Sequence, residues 1–147
     1  MSVAEQATRT GAAETYHQVQ QFYAQQMQLL DSGRVREWAE TFTEGGVFAA
    51  NAHPEPAAGR AAITAAAQQA TDAYAAQGIQ RRHWLGMVAV EEREAGTVSA
   101  RCYALVIETP RGGQAVIKAS TLCEDLLVRE GDALLVRDRR VTRDDLI

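Results

Sequence analysis

Residues 80–141, QRRHWLGMVAVEEREAGTVSARCYALVIETPRGGQAVIKASTLCEDLLVREGDALLVRDRRV, decide the fold. Four runs rich in Val, Ile, Leu and aromatic residues cover 80–92, 97–109, 114–129 and 133–141. Side chains alternate along them in the period-two manner of half-buried strands. Glu94-Ala95-Gly96, Pro110-Arg111-Gly112-Gly113 and Glu130-Gly131-Asp132 separate the runs and have the length and glycine content of hairpin loops. Four strands joined by hairpins predict an antiparallel meander. At about 12 residues each they exceed the usual strand length and must curl strongly, leaving a concave face.

The residues before the meander read as helices. Tyr16, Val19, Tyr23, Met27 and Leu30 recur at steps of three and four, which predicts one apolar stripe on a helix over residues 14–30. Asp31-Ser32-Gly33 is a stop signal, after which Val35, Trp38, Ala39 and Phe42 mark a short second helix. Gly45-Gly46 then reads as a break, Val47 to Ala50 as a short strand, and residues 51–58 as an irregular loop. A third helix over residues 60–77 is built on alanine, with Ile63, Ala67, Ala70 and Tyr74 on one side and Gly78 as its C-cap. Its small side chains predict close approach to a sheet. Residues 1–13 carry no apolar periodicity and read as a flexible N-terminal arm.

The expectation is a single α+β domain over residues 14–147: a cone-shaped, strongly bent antiparallel sheet with helices over its concave face, enclosing a pocket. A chain of 147 residues has room for one such domain. With 46% apolar and 23% charged residues it has an ordinary soluble composition, so a cytoplasmic protein without membrane contact is expected. A net charge of −4 argues against nucleic acid as a partner. Arg137, Arg139, Arg140 and Arg143 alternate with aspartates and read as a solvated, ion-paired face. Cys102 and Cys123 fall in separate strand-like runs and read as buried free thiols. The three histidines lack metal-ligand spacing, so no metal is expected.

The runs LLDSGRVREWAETF, GRAAI, RRHWLGMV and DLLVREGDALLVRDRRV, in that order, resemble the SnoaL-like branch of the nuclear-transport-factor-like superfamily. Scytalone dehydratase, steroid Δ-isomerase and the β subunits of aromatic-ring dioxygenases share its layout. The resemblance implies the cone fold over residues 14–145 and leaves the reaction open, because the fold hosts both enzymes and accessory subunits. It points to His83 as a catalytic histidine, since an imidazole can take a proton and pass it on near neutral pH. Asp31 matches the aspartate that lies beside that histidine and orients its ring. Two plainer readings stand beside these: a structural histidine at the cavity rim, and an Asp-Ser-Gly stop in which Asp31 caps the second helix.

The sequence departs from the dehydratase pattern at Leu30, at Ala49 or Ala50, and at Glu108 or Thr109, where that pattern has two tyrosines and a second histidine. Scytalone dehydration itself is therefore not expected. Tyr23, Glu108, Thr121 and Cys123 are the expected substrate contacts. Tyr23 lies on the first helix's stripe. Cys102, Val106 and Glu108 share one strand face, and Ile117, Ala119, Thr121 and Cys123 share another. Core packing for Tyr23, Thr121 and Cys123, and a wet strand end for Glu108, are the alternatives. Tyr16 and Trp38 read as packing residues, Trp84 as outer-face, His53 as a loop residue and His17 as exposed. The expected function is a small cofactor-free enzyme performing cyclisation, dehydration or isomerisation on a small apolar, aromatic or polyketide-like substrate, and forming a homodimer. The alternative is a non-catalytic ligand-binding or accessory subunit.

Overall fold

The computed structural model describes residues 2–147, and for residues 7–10 the backbone alone. The elements are α1 (Val3–Asp31), α2 (Val35–Ala39), β1 (Phe42–Ala50), β2 (Ala57–Ala58), α3 (Arg60–Ala76), β3 (Ile79–Glu92), β4 (Thr97–Pro110), β5 (Val116–Glu130) and β6 (Ala133–Arg143), closed by a 3-10 turn at Asp144–Leu146. One six-stranded sheet runs in the order β2-β1-β6-β5-β4-β3. The four long strands form the expected antiparallel meander. β1 lies parallel to β6, so the chain crosses over from β1 through α3 before the meander returns beside it.

Local breaks in pairing bend this sheet. β3 departs from regular pairing with β4 between Gly86 and Ala89, where Met87 takes a left-handed φ of 53°. β5 spends one extra residue at Lys118 and β6 one at Arg137. Each bulge adds twist, and each reverses the alternation of side chains beyond it. That reversal turns Ile117 outward, away from Thr121 and Cys123 with which simple alternation groups it. On β6, Leu134 and Val136 point inward before the bulge and Arg139 points inward after it. Arg139 is thus a buried residue and not part of the solvated arginine face. Arg137 and Arg143 do keep exposed acid partners, Asp138 and Asp145.

α1 lies across the concave face. Val19, Tyr23, Gln26 and Met27 are buried on it, packed toward Val98, Ala100, Cys102, Cys123 and Leu127 of the sheet. Tyr16 is exposed, and Thr15 takes the inward position instead. The helix also starts well before the apolar stripe. Ser2 caps it, with the Glu5 backbone N–H donating to Ser2 Oγ and the Ser2 backbone N–H donating to Glu5. The stretch expected as an arm is therefore helical from Val3 onward. A solvated helix of good formers leaves no apolar period to detect.

Phe42 opens β1 rather than closing α2. The Val136 N–H donates to the Thr41 carbonyl, and the Arg60 guanidinium donates to the Phe42 carbonyl, so strand pairing takes over just past the helix. Gly45-Gly46 is a bulge in this strand, within the break in register between the Phe42–Val136 and Val47–Asp138 pairs. A side chain at Gly46 would meet the Thr43 and Val136 carbonyl oxygens at 3.0 and 3.2 Å, which is why glycine stands there. Part of the loop over 51–58 is the two-residue strand β2, antiparallel to β1. Among the described residues no helix is long and apolar enough to cross a membrane.

Candidate functional site

Helix α1 ends against the outer edge of the sheet. Because β3 is an edge strand, alternate backbone N–H groups have no strand to bond to, and the one on His83 points outward. Asp31, the last residue of α1, takes it: the His83 N–H donates to Asp31 Oδ2 at 3.0 Å. The other oxygen, Oδ1, lies 2.6 Å from His83 Nδ1. Gln80 Nε2 donates to the Asp31 carbonyl at 3.1 Å and ties the same helix end to β3. An ionised carboxylate only accepts hydrogen bonds, so Nδ1 is the donor in this contact, and in the neutral ring Nε2 carries the free lone pair. The ring is thereby fixed in tautomer and in orientation.

The placement is costly for stability. A carboxylate at a helix C-terminus opposes the helix dipole, and the last turn of α1 has no basic residue. Asp31 is also not a cap for α2, whose N-cap is Arg34 without a side-chain bond. With the Asp31 side chain 6% exposed and that of His83 19%, the acid is closed off and the imidazole keeps an open edge.

That edge faces a cavity of about 1060 Å3. Its walls come from α3, the end of α1, Trp38, Phe48, the 51–58 loop, the start of β3 and the β4–β5 turn. The small side chains of α3 were expected to let helix and sheet close up. Instead Ala66, Ala67 and Ala70 line the cavity, and their shortness leaves room. Ile63, Phe48 and Trp38 make the wall apolar. Trp38 packs edge-on against Phe42 with ring centroids 5.0 Å apart. His53, exposed on its loop, stands at the cavity's margin.

The other four expected contacts do not line this cavity. Tyr23 donates its hydroxyl to Asp125 Oδ2 at 2.6 Å. Arg139 holds the same carboxylate with two bonds of 2.9 Å and donates to Gln26 at 2.8 Å. Burial, and next to it Asp125, push the Tyr23 phenol far above its ordinary range, so it stays a neutral donor. Burial works against the Arg139 charge, but Asp125 and its neighbours more than offset this and the guanidinium is held above its usual value. Thr121 Oγ1 donates to the Ala104 carbonyl at 2.9 Å. Cys123 lies across from Cys102 in the β4–β5 pairing, both of them free and buried, with its sulfur 3.6 Å from Asp125. These groups are spent on the cone's interior. Glu108 is buried as well, 3.3 Å from Arg81 Nε.

Sequence reasoning passed over Arg81, which lines the cavity two residues before His83 on the same face of β3. The period of two, counted back from His83, marks it. It also passed over Asp125, because the partners of this acid come from α1 and from β6 beyond its bulge.

A model of the SnoaL-like domain matches residues 11–140. Aln2 from a Streptomyces species is 38% identical, with 90% of this chain and 93% of that one aligned and a TM-score of 0.84. A protein from Catenulispora acidiphila, solved in complex with S-DNPA, is 37% identical over 90% of this chain and 96% of that one, with a TM-score of 0.78. An NTF2-like protein with a cystatin-like fold from Novosphingobium aromaticivorans is 25% identical over 98% of this chain and 91% of that one, with a TM-score of 0.81. No curated protein matches the chain. The cone-shaped sheet, its pocket and the match across the domain lead to one conclusion: the chain belongs to the SnoaL-like domain family, within the NTF2-like fold.

Proposed function

We propose that the chain is a small enzyme that moves protons on an aromatic or polyketide-like substrate, without a cofactor, in a cyclisation, dehydration or isomerisation. The observation that carries this reading is the Asp31–His83 pair set in the wall of an apolar cavity. His83 Nε2 accepts a proton from a substrate carbon or hydroxyl and returns it elsewhere on the molecule, while Asp31 holds the ring and stabilises the imidazolium formed in between. Positioning in the cavity supplies the rest, and a pair of this kind needs no metal to begin. Identity of 37% to a relative solved with S-DNPA makes that compound the natural first probe.

The test is incubation of S-DNPA with the protein in H2O and in D2O, followed by mass spectrometry. Conversion or deuterium uptake that disappears in a folded His83→Ala variant is expected. Full activity in that variant would remove the proposal in favour of a ligand-holding protein. We further propose a homodimer formed through the outer sheet face, where Trp84 and Tyr103 are 67% and 61% exposed. Light scattering at twice the chain mass supports it, and a monomer contradicts it.

A further inference from the structure

Arg81 stands two residues before His83 on β3, and the two share the face that lines the cavity. Their Cα atoms are thus about 6–7 Å apart along the strand. The guanidinium is pinned on two sides. Glu108, its register partner on β4, approaches the Nε edge at 3.3 Å, and the ring of Tyr74 from α3 lies under the plane with 4.2 Å to its centroid. Yet Nε is buried without a hydrogen-bond partner, and among the described residues the two terminal nitrogens have none either. Arg139 differs, since its guanidinium makes two hydrogen bonds to Asp125 and one to Gln26. A fixed guanidinium in a cavity wall, its terminal fork unspent, is a site waiting for an acceptor. Two oxygens in one plane match such a fork, while a single carbonyl engages only half of it.

We propose that Arg81 anchors a carboxylate of the ligand through its two terminal nitrogens, so that the cavity takes aromatic acids. This rests on reading the cavity as the substrate site. Tyr74 keeps the fork level, and Glu108 occupies the opposite edge so that only the terminal one is open. The ring system then lies against Phe48, Ile63 and the alanines of α3. A ligand without the acid enters the same cavity unpositioned.

The test compares 2-naphthoate with its neutral isostere 2-naphthamide by calorimetric titration, on the wild type and on variants checked for fold by circular dichroism. The wild type is expected to bind the carboxylate at least tenfold more tightly than the amide. Arg81→Gln should lose that preference. His83→Ala should keep it, so a failure of the proton-transfer reading leaves the anchor intact and the reverse failure is equally visible. Should Arg81→Gln not fold, Glu108→Gln decides: with the acid at the Nε edge gone, the preference for the carboxylate rises several-fold. Absent binding of 2-naphthoate, equal affinity for the two compounds in the wild type, a preference that survives in Arg81→Gln, or one unchanged in Glu108→Gln overturns the proposal.

Discussion

Asp125 and Asp31 both have closed-off carboxylates, and they differ in what their partners have left over. Asp125 accepts from Arg139 and Tyr23, and its side chain and that of Arg139 are 0% and 3% exposed. Both oxygens of Asp125 are taken by members of the cluster, and Gln26, which accepts from Arg139, donates onward to Thr41. Asp31 is nearly as closed, but its partner is an imidazole that lines a cavity and whose second nitrogen is not engaged by Asp31. Arginine does not release its proton, whereas imidazole exchanges one readily. The first cluster can therefore only hold the interior together, and the second has one free lone pair facing space. Burial and charge alone do not mark a site of chemistry; an unspent valence beside a void does.

The comparison breaks most severely at Arg139. Replacing it by Met leaves Asp125 buried without its countercharge, and a loss of about 3–5 kcal/mol in urea unfolding is expected. A loss under about 1 kcal/mol would mean that the cluster is not the closed device described. His83→Ala acts on the other side of the contrast. Turnover should fall by roughly a thousandfold with the fold retained, because a positioned general base contributes on the order of 10²–10⁴. Asp31→Asn leaves the ring in place but lets it take either tautomer, and activity should drop on the order of a hundredfold. An unchanged rate would reduce Asp31 to a tether between α1 and β3.

The smallest effect is expected at Glu92, which accepts from Arg129 and from Thr15 and so links β3, β5 and α1. Arg129 first, then Thr15, hold its carboxyl below the ordinary value of 4.5. A lowered folded pKa means that the contribution is present above about pH 4.5 and fades as the pH falls through the folded value. The Glu92 side chain is 46% exposed, so screening keeps the effect below about 1 kcal/mol. Glu92→Gln should lower stability by a few tenths to about 1 kcal/mol at pH 7, and the difference should shrink steadily as the pH is lowered through the acid range.

How much of this was legible in the sequence follows from the range of the interactions. The four long strands and their turns were readable because alternation and glycine placement are local. Phe42 was misread because Val35, Trp38, Ala39 and Phe42 keep a helical period through the point where β6 captures the backbone. Arg139 was misread because the bulge at Arg137 shifts the alternation by one residue, and nothing local announces a bulge. Asp31 and His83 were legible as a pair only through the family resemblance, and their distance is set by a helix end meeting an edge strand, which no local pattern encodes. Strand and helix periodicity places Tyr23, Glu108, Thr121 and Cys123 on inward faces, which is as far as a local pattern reaches. Whether an inward residue meets ligand or core depends on what else fills the cone, and the acid that fills it here, Asp125, was not singled out.

The central claim is that Asp31 holds His83 as a proton acceptor facing the cavity. The most direct measurement is the long-range proton–nitrogen NMR spectrum of the His83 imidazole at neutral pH, in the wild type and in Asp31→Asn. The geometry predicts a proton on Nδ1 and a bare Nε2 in the wild type, with mixed or exchanging tautomers once Asp31 is replaced. A His83 ring protonated on Nε2 and bare at Nδ1, or a spectrum that Asp31→Asn leaves unchanged, would contradict it.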